Sequence, residues 1–168
     1  MSLSIPARIL ALKGQKINKI EFNSESKKVL IQCQRDKRKL AIDPLTGRRG
    51  RINRLVRRQV RDTPILGHPC WIEIELAQVF LSKNERRMEQ CSFVDTGCYF
   101  THRFCRLVSG LCRHLSIDGV SRDLGLRWEN TKNIDKAYLH ETLPALEPDK
   151  LTGLKMIGVD EVARAKRT

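Results

Sequence analysis

The chain has 168 residues, 40% of them hydrophobic and 30% charged, and a formal net charge of +13. That mixture folds, which excludes a disordered polyelectrolyte, and the length suits one ordinary domain or two small ones. No apolar run of about 18 residues is present, and the N-terminal "MSLSIPARILALKGQ" lacks the cationic start and small-residue cleavage site of a secretory leader. The expectation is a cytoplasmic chain with no membrane partner.

Residues 17–22 (INKIEF) and 27–32 (KKVLIQ) alternate apolar and polar side chains around NSES, which predicts a β-hairpin. The stretch 34–56 is basic and is interrupted by Asp43-Pro44, Gly47 and Gly50, which break a regular element. From Arg35 to Arg61 eleven Lys or Arg stand against Asp36 and Asp43. Within it, "GRRGRINRLVRRQVR" carries seven arginines and no acid: Arg48, Arg49, Arg51, Arg54, Arg57, Arg58 and Arg61. Such a run attracts a polyanion and releases its counterions. A solvated basic loop with no partner is the competing reading. The density of arginine, whose planar fork matches phosphate and guanine edges, favours nucleic acid. "RRQVRDTP", "ILGHP" and "WIEIELAQVFL" then predict a second hairpin, with Trp71, Ile72, Ile74 and Leu76 packing and Glu73 and Glu75 on one face.

From Tyr99 the period changes. Phe100, Phe104, Leu107, Val108, Leu111 and Leu115 recur at helical spacing. Ser116 is placed to cap a short helix that turns Ile117, Val120 and Leu124 inward, and Gly125 ends it. A third helix from about Arg127 turns Thr131, Ile134 and Tyr138 inward, until Pro144 and Pro148 begin a linker. "LKMIGVDEV" closes the series as a candidate buried strand. None of the six cysteines forms a C-x-x-C pair. Cys91, Cys98, Cys105 and Cys112 repeat every seven residues, and on a helix the last three share a stripe. Their spacing of roughly 10 Å is too wide for one zinc ion, so thiols filling a helix face are expected.

A short helix, a glycine turn and a second helix is the arrangement that sets a helix N-terminus in the major groove. The last helix would expose Arg127, Glu129, Asn130, Lys132, Asn133 and Lys136, among them residue types that bond base edges and phosphates. A three-helix bundle that binds nothing is the alternative. Joined to the arginine run, double-stranded DNA is the expected partner. RNA is disfavoured, since aromatics are only 5% of the chain and no stacking pattern is visible.

"VRDTPILGHPCWIEIELAQVFL", "YFTHRFCRLVSGLCRHLSIDGVSRDLGLRWENTKNIDKAYL" and "IGVDEVARAK" follow the order of segments in the ISL-three group of bacterial insertion-sequence transposases, which the chain resembles from about Cys33 onward. The resemblance implies an α+β chain in three parts. Residues 1–90 would be a basic β-hairpin module of zinc-ribbon type, 91–143 a helix-turn-helix of three helices, and 144–168 a linker and the lone first strand of a ribonuclease-H-like domain. The family's paired zinc cysteines are reduced here to Cys33 at most; the other positions fall near Asp36, Leu81, Ser82 and Glu85, so no zinc is expected. Asp160 matches the first acid of the family's Asp-Asp-Glu metal site. Magnesium would enter only in a complete catalytic domain, and no cofactor is expected of this chain. The chain therefore resembles the N-terminal portion of a transposase cut short, able to bind insertion-sequence DNA at the nucleoid but not to cleave it. A stand-alone DNA-binding regulator or transposition inhibitor is the alternative. Association with itself or with a full-length transposase is a further expectation.

Overall fold

A computed structural model of the chain describes residues 9–80 and 85–143. The strands are β1 (Gln15–Asn23), β2 (Lys28–Arg35), β3 (Arg51–Ile65), β4 (His68–Phe80) and β5 (Arg86–Met88). The helices are α1 (His102–Cys112), α2 (Ile117–Leu124) and α3 (Trp128–Thr142). The chain is thus of the mixed α+β class. The expected strand of the last segment, with Asp160, lies outside the described residues.

Both predicted hairpins form, but they do not stand apart as small modules. β2 lies parallel to β4, Val29 beside Cys70 and Ile31 beside Ile72, and this pairing fuses them into one five-stranded sheet ordered β1-β2-β4-β3, with β5 on the free half of β4. The β1–β2 turn is held by Ser26 N donating to Asn23 Oδ1 at 2.9 Å. The β3–β4 turn has two residues, Leu66 and Gly67, both at positive φ (50° and 79°), the backbone twist that suits a two-residue hairpin. β3 also starts earlier than its glycines predict. Gly50 does not break the sheet but permits it: a Cβ there would sit 2.6 Å from Val79 Cβ, so only a bare backbone passes over β4.

The pleat sorts β2 and β4. Val29, Ile31 and Cys33 join Cys70, Ile72, Ile74 and Leu76 on one face, and with Val60, Leu12, Ile17, Phe93 and Val94 they form the main core. Ile31, Ile72 and Ile74 are fully buried, each contributing roughly 1.5–3 kcal/mol by transfer from water. At the rim of this sheet Arg35 and Glu89 form a buried two-pronged ion pair, with Nε–Oε1 2.7 Å and Nη2–Oε2 2.8 Å.

The helices enclose a second core of Phe104, Val108, Val120, Leu124 and Ile134. α1 begins three residues after the predicted onset, because the Thr101 hydroxyl accepts from Phe104 N at 3.2 Å and caps it there. Cys98 therefore lies off the helix, and the expected three-cysteine stripe shrinks to Cys105 and Cys112. Ser116 caps α2, accepting from Gly119 N at 3.1 Å, and Gly125 ends it at φ 62°, as its sequence predicts. Side chains lock α3 to both neighbours: Ser121 Oγ to Thr131 Oγ1 at 2.9 Å and Ser109 Oγ to Asp135 Oδ1 at 2.7 Å.

A polar seam joins helices to sheet. Residues 99–101 run along the outer strand: Arg61 N donates to Tyr99 O at 2.7 Å, and Thr101 N to Arg61 O at 3.0 Å. Beside them the fully buried Asp62 accepts from Thr101 Oγ1 at 2.7 Å and from Arg103 Nε at 2.6 Å, while Arg103 Nη2 meets its other oxygen. Among the described residues no helix is long and apolar enough to cross a membrane.

Candidate nucleic-acid interface

Strand pairing decides where each arginine of the run points. Residues directly opposite on antiparallel strands share a face. Arg51 opposes Phe80, Arg54 opposes Gln78 and Arg58 opposes Ile74, while Arg57 opposes Glu75 and Arg61 opposes Trp71. A bulge between Ile52 and Arg54 brings Arg51 and Arg54 onto one face. β5 adds to that face, because Phe80 also opposes Arg86, whose guanidinium lies 5.2 Å from the Phe80 ring centre. The result is an exposed patch of Arg51, Arg54 and Arg86, none of whose paired positions holds a carboxylate, while Arg58 opposes the buried Ile74 of the core. Arg86 lies outside the arginine run and is visible only through the register.

The opposite face is different. Arg57 lies 3.8 Å from Glu73 and 3.9 Å from Glu75, so two acids from β4 offset a residue that has none nearby in sequence. Arg48 and Arg49 are exposed on the turn before β3. That turn is wound on Asp43, whose carboxylate accepts from Thr46 N at 3.1 Å and from Leu45 N at 3.4 Å, an Asp-led turn that keeps the arginines outside.

Two of the seven arginines are drawn into the fold. Arg58 is half-buried: Nη2 donates to Cys98 O at 2.6 Å and the guanidinium lies 5.4 Å from the Tyr99 ring centre. Arg61 is 6% exposed, donates from Nη2 to Leu124 O at 3.1 Å, and lies over the Trp71 and Phe104 rings. It is a bridge between sheet and helices and is not part of the exposed basic surface.

On α3 the outward residues are Glu129, Lys132, Asn133 and Lys136, with Arg127 exposed at the N-cap. Glu129, Lys132, Asn133 and Lys136 share one helical face. Lys132 Nζ lies 5.0 Å from the centre of the half-exposed Trp128 ring. Asn130 departs from the expected set, being half-buried between two cavities.

The larger cavity, about 620 Å³, lies between residues 95–106 and α3 and contains Cys98 and Cys105. A hydrogen bond from the Cys105 thiol, whose own proton it retains, holds Cys98 below the ordinary thiol range. Cys33 is buried in the main core, where desolvation pushes its thiol up to about 12. Among the described residues no three of His, Cys, Asp or Glu stand close enough to hold a metal ion. Leu81, Ser82 and Asp160 lie outside the described residues. Set against models of protein families, characterised proteins and solved structures, the chain matches none.

Proposed function

We propose that the described part of this chain binds double-stranded DNA, through phosphate contacts from the sheet and base contacts from α3. The observation that carries the reading is the exposed patch of Arg51, Arg54 and Arg86, where strand register gathers cations from β3 and β5 with no opposing carboxylate. A helix ending at Gly125 and a second starting at Trp128 then present Lys132, Asn133 and Lys136 from one helix face, with Arg127 exposed at its N-cap. Lysine and asparagine on such a face suit guanine and adenine edges respectively. That the DNA is an insertion-sequence end, and the chain part of a transposase, rests on the sequence resemblance.

The test is fluorescence anisotropy on a labelled duplex across a salt series. Wild type is expected to lose affinity steeply with salt. Arg48→Ala, Arg49→Ala, Arg51→Ala and Arg54→Ala combined should reduce the slope of log K against log salt by about 3–4, at about 0.9 per phosphate contact. Asn133→Ala should narrow the gap between an insertion-sequence end and unrelated DNA, leaving the slope alone. Wild-type binding that is absent at low salt, or insensitive to salt, defeats the proposal.

A further inference from the structure

Between the end of β3 and the Gly125 turn lies a second cavity, of about 380 Å³, lined by Arg61, Trp71, Tyr99, Phe100, Arg127 and Asn130 among others. Its chemistry is set by Arg61. That residue is 6% exposed, yet no carboxylate of the described residues pairs with it. The adjacent Asp62 is already engaged by Thr101 and Arg103. One guanidinium nitrogen, Nη2, donates to Leu124 O, whereas Nε is the only buried side-chain nitrogen or oxygen of the described residues without a hydrogen-bond partner. A buried cation with an idle donor is costly, and burial works against its charge. Such a group is stabilised by a ligand that brings an acceptor into the cavity.

The walls narrow the choice of ligand. Trp71, Tyr99 and Phe100 offer flat apolar surface, and Tyr99 is 64% exposed at the mouth. A phosphate would lose its hydration against these rings and gain few donors. A planar heterocycle would stack on them and still present ring acceptors to the edge of the Arg61 guanidinium that lines the cavity. Asn130 supplies an amide able to donate and accept at the same edge. Because Arg61 lies inside the fold, a base still paired in a groove does not reach it.

We propose that this cavity receives one unpaired nucleobase of bound DNA, held against the aromatic walls with an acceptor such as guanine O6 or N7 on the edge of the Arg61 guanidinium that lines it. The inference rests on the duplex-binding reading above and adds a specific ligand to it. Arg127, the N-cap of α3, and Asn130 of its first turn both line this cavity, so it opens beside the helix proposed to read bases. A base leaves the stack most easily at a mismatch, bulge or strand end, and those are the DNA forms the cavity would select.

The test compares a paired duplex with the same duplex carrying one unpaired guanine, both read by anisotropy. Base–aromatic stacking predicts about tenfold tighter binding to the bulged form. Tyr99→Ala removes an exposed ring and should close that gap while leaving paired-duplex affinity unchanged, and Tyr99→Phe should retain it. Arg61→Met, checked for folding by thermal melt, should also close the gap. Equal affinity of wild type for the two duplexes overturns this inference alone. No binding to either overturns the duplex-binding reading as well. A third arm titrates guanosine monophosphate into Trp128→Phe protein, in which Trp71 is the one remaining indole of the chain's two. Quenching there without any preference for the bulge would assign the cavity to a free nucleotide and overturn the DNA assignment.

Discussion

The polar seam between sheet and helices and the exposed basic face of the sheet are built from the same residue type, in part from the same run of sequence. In the seam Arg61 and Arg103 are sequestered, one against aromatic rings and a helix-end carbonyl, the other against Asp62. On the face Arg51 and Arg54 are exposed and make no ion pair with the described carboxylates. Surface charges contribute little to stability and much to polyanion binding. Breaking a buried ion pair, by contrast, costs stability because the remaining charge is left unpaired. An arginine run therefore carries two roles that only strand register separates, and each role is tested by a different variable.

The largest expected effect is in the seam. Arg103→Met leaves Asp62, fully buried, with only the Thr101 hydroxyl to face. Breaking one side of a buried ion pair should cost about 3–5 kcal/mol. Arg54→Ala on the exposed face should stay within about 0.5 kcal/mol of wild type. Denaturant unfolding of both variants measures the contrast, and similar midpoint shifts for the two would erase it.

The interior also answers to pH, where the exposed face answers to salt. Cys33 and Cys70 are buried, and desolvation pushes both thiols up to about 12 from an ordinary 9.0. Between those values the unfolded chain has lost protons that the fold retains. It binds fewer protons, so stability falls as pH rises, by at most about 1.4 kcal/mol per thiol per pH unit. The contribution is fully present below about pH 9. Unfolding midpoints at pH 8 and pH 10 should differ, and Cys33→Ala should reduce the difference without abolishing it, because burial also raises the thiols of Cys70, Cys91 and Cys112. An unchanged difference would place the titration elsewhere.

How far these regions were legible in the sequence depends on the range of the interaction that defines each. Local signals served well: Ser116 as cap, Gly125 as stop, and the alternation of KKVLIQ and WIEIEL each depend on neighbours a few residues away. The parallel seating of β2 on β4 did not show, because no local pattern specifies which of two hairpins lies beside which. Gly50 misled for a related reason. Its lack of a side chain reads as a breaker, but its role is close approach to Val79 on another strand. Arg57 and Arg61 look alike in "RRQVR", and Glu73, Glu75 and Trp71, which distinguish them from Arg54, arrive from the paired strand. Counting out from the two-residue turn would put each arginine on the wrong face, because the irregularity between Asp62 and Ile65 shifts the register by one residue.

The exposed face should respond to salt in proportion to its cations. Arg51→Ala with Arg54→Ala should lower the slope of log K against log salt for duplex DNA by about two, at about 0.9 per contact. Arg61→Met should leave that slope unchanged, since the residue is buried. A slope that falls with Arg61→Met as much as with the exposed pair would mean that the fold opens to admit the backbone, and the separation of seam from face would fail.

The smallest effect is expected of Arg57, and it tests the separation most closely. By sequence Arg57 is as good a phosphate contact as Arg54, three residues away, and its side chain is 72% exposed. The pleat nevertheless turns it to the face that carries Glu73 and Glu75, both within 3.9 Å. One cation among two carboxylates leaves that face net negative locally, and a DNA backbone laid there would meet repulsion from both acids. A duplex held by Arg51, Arg54 and Arg86 lies on the other side of the strand. Arg57→Ala should accordingly change the salt slope by less than about half a unit, against about one for Arg54→Ala. Glu73→Gln should be equally silent, because an acid turned away from DNA repels it weakly across about a Debye length of roughly 10 Å. If instead Arg57→Ala matches Arg54→Ala, or Glu73→Gln tightens binding severalfold, DNA wraps the edge of β3 and touches both faces. The arginine run would then act as the single polycation that its sequence describes.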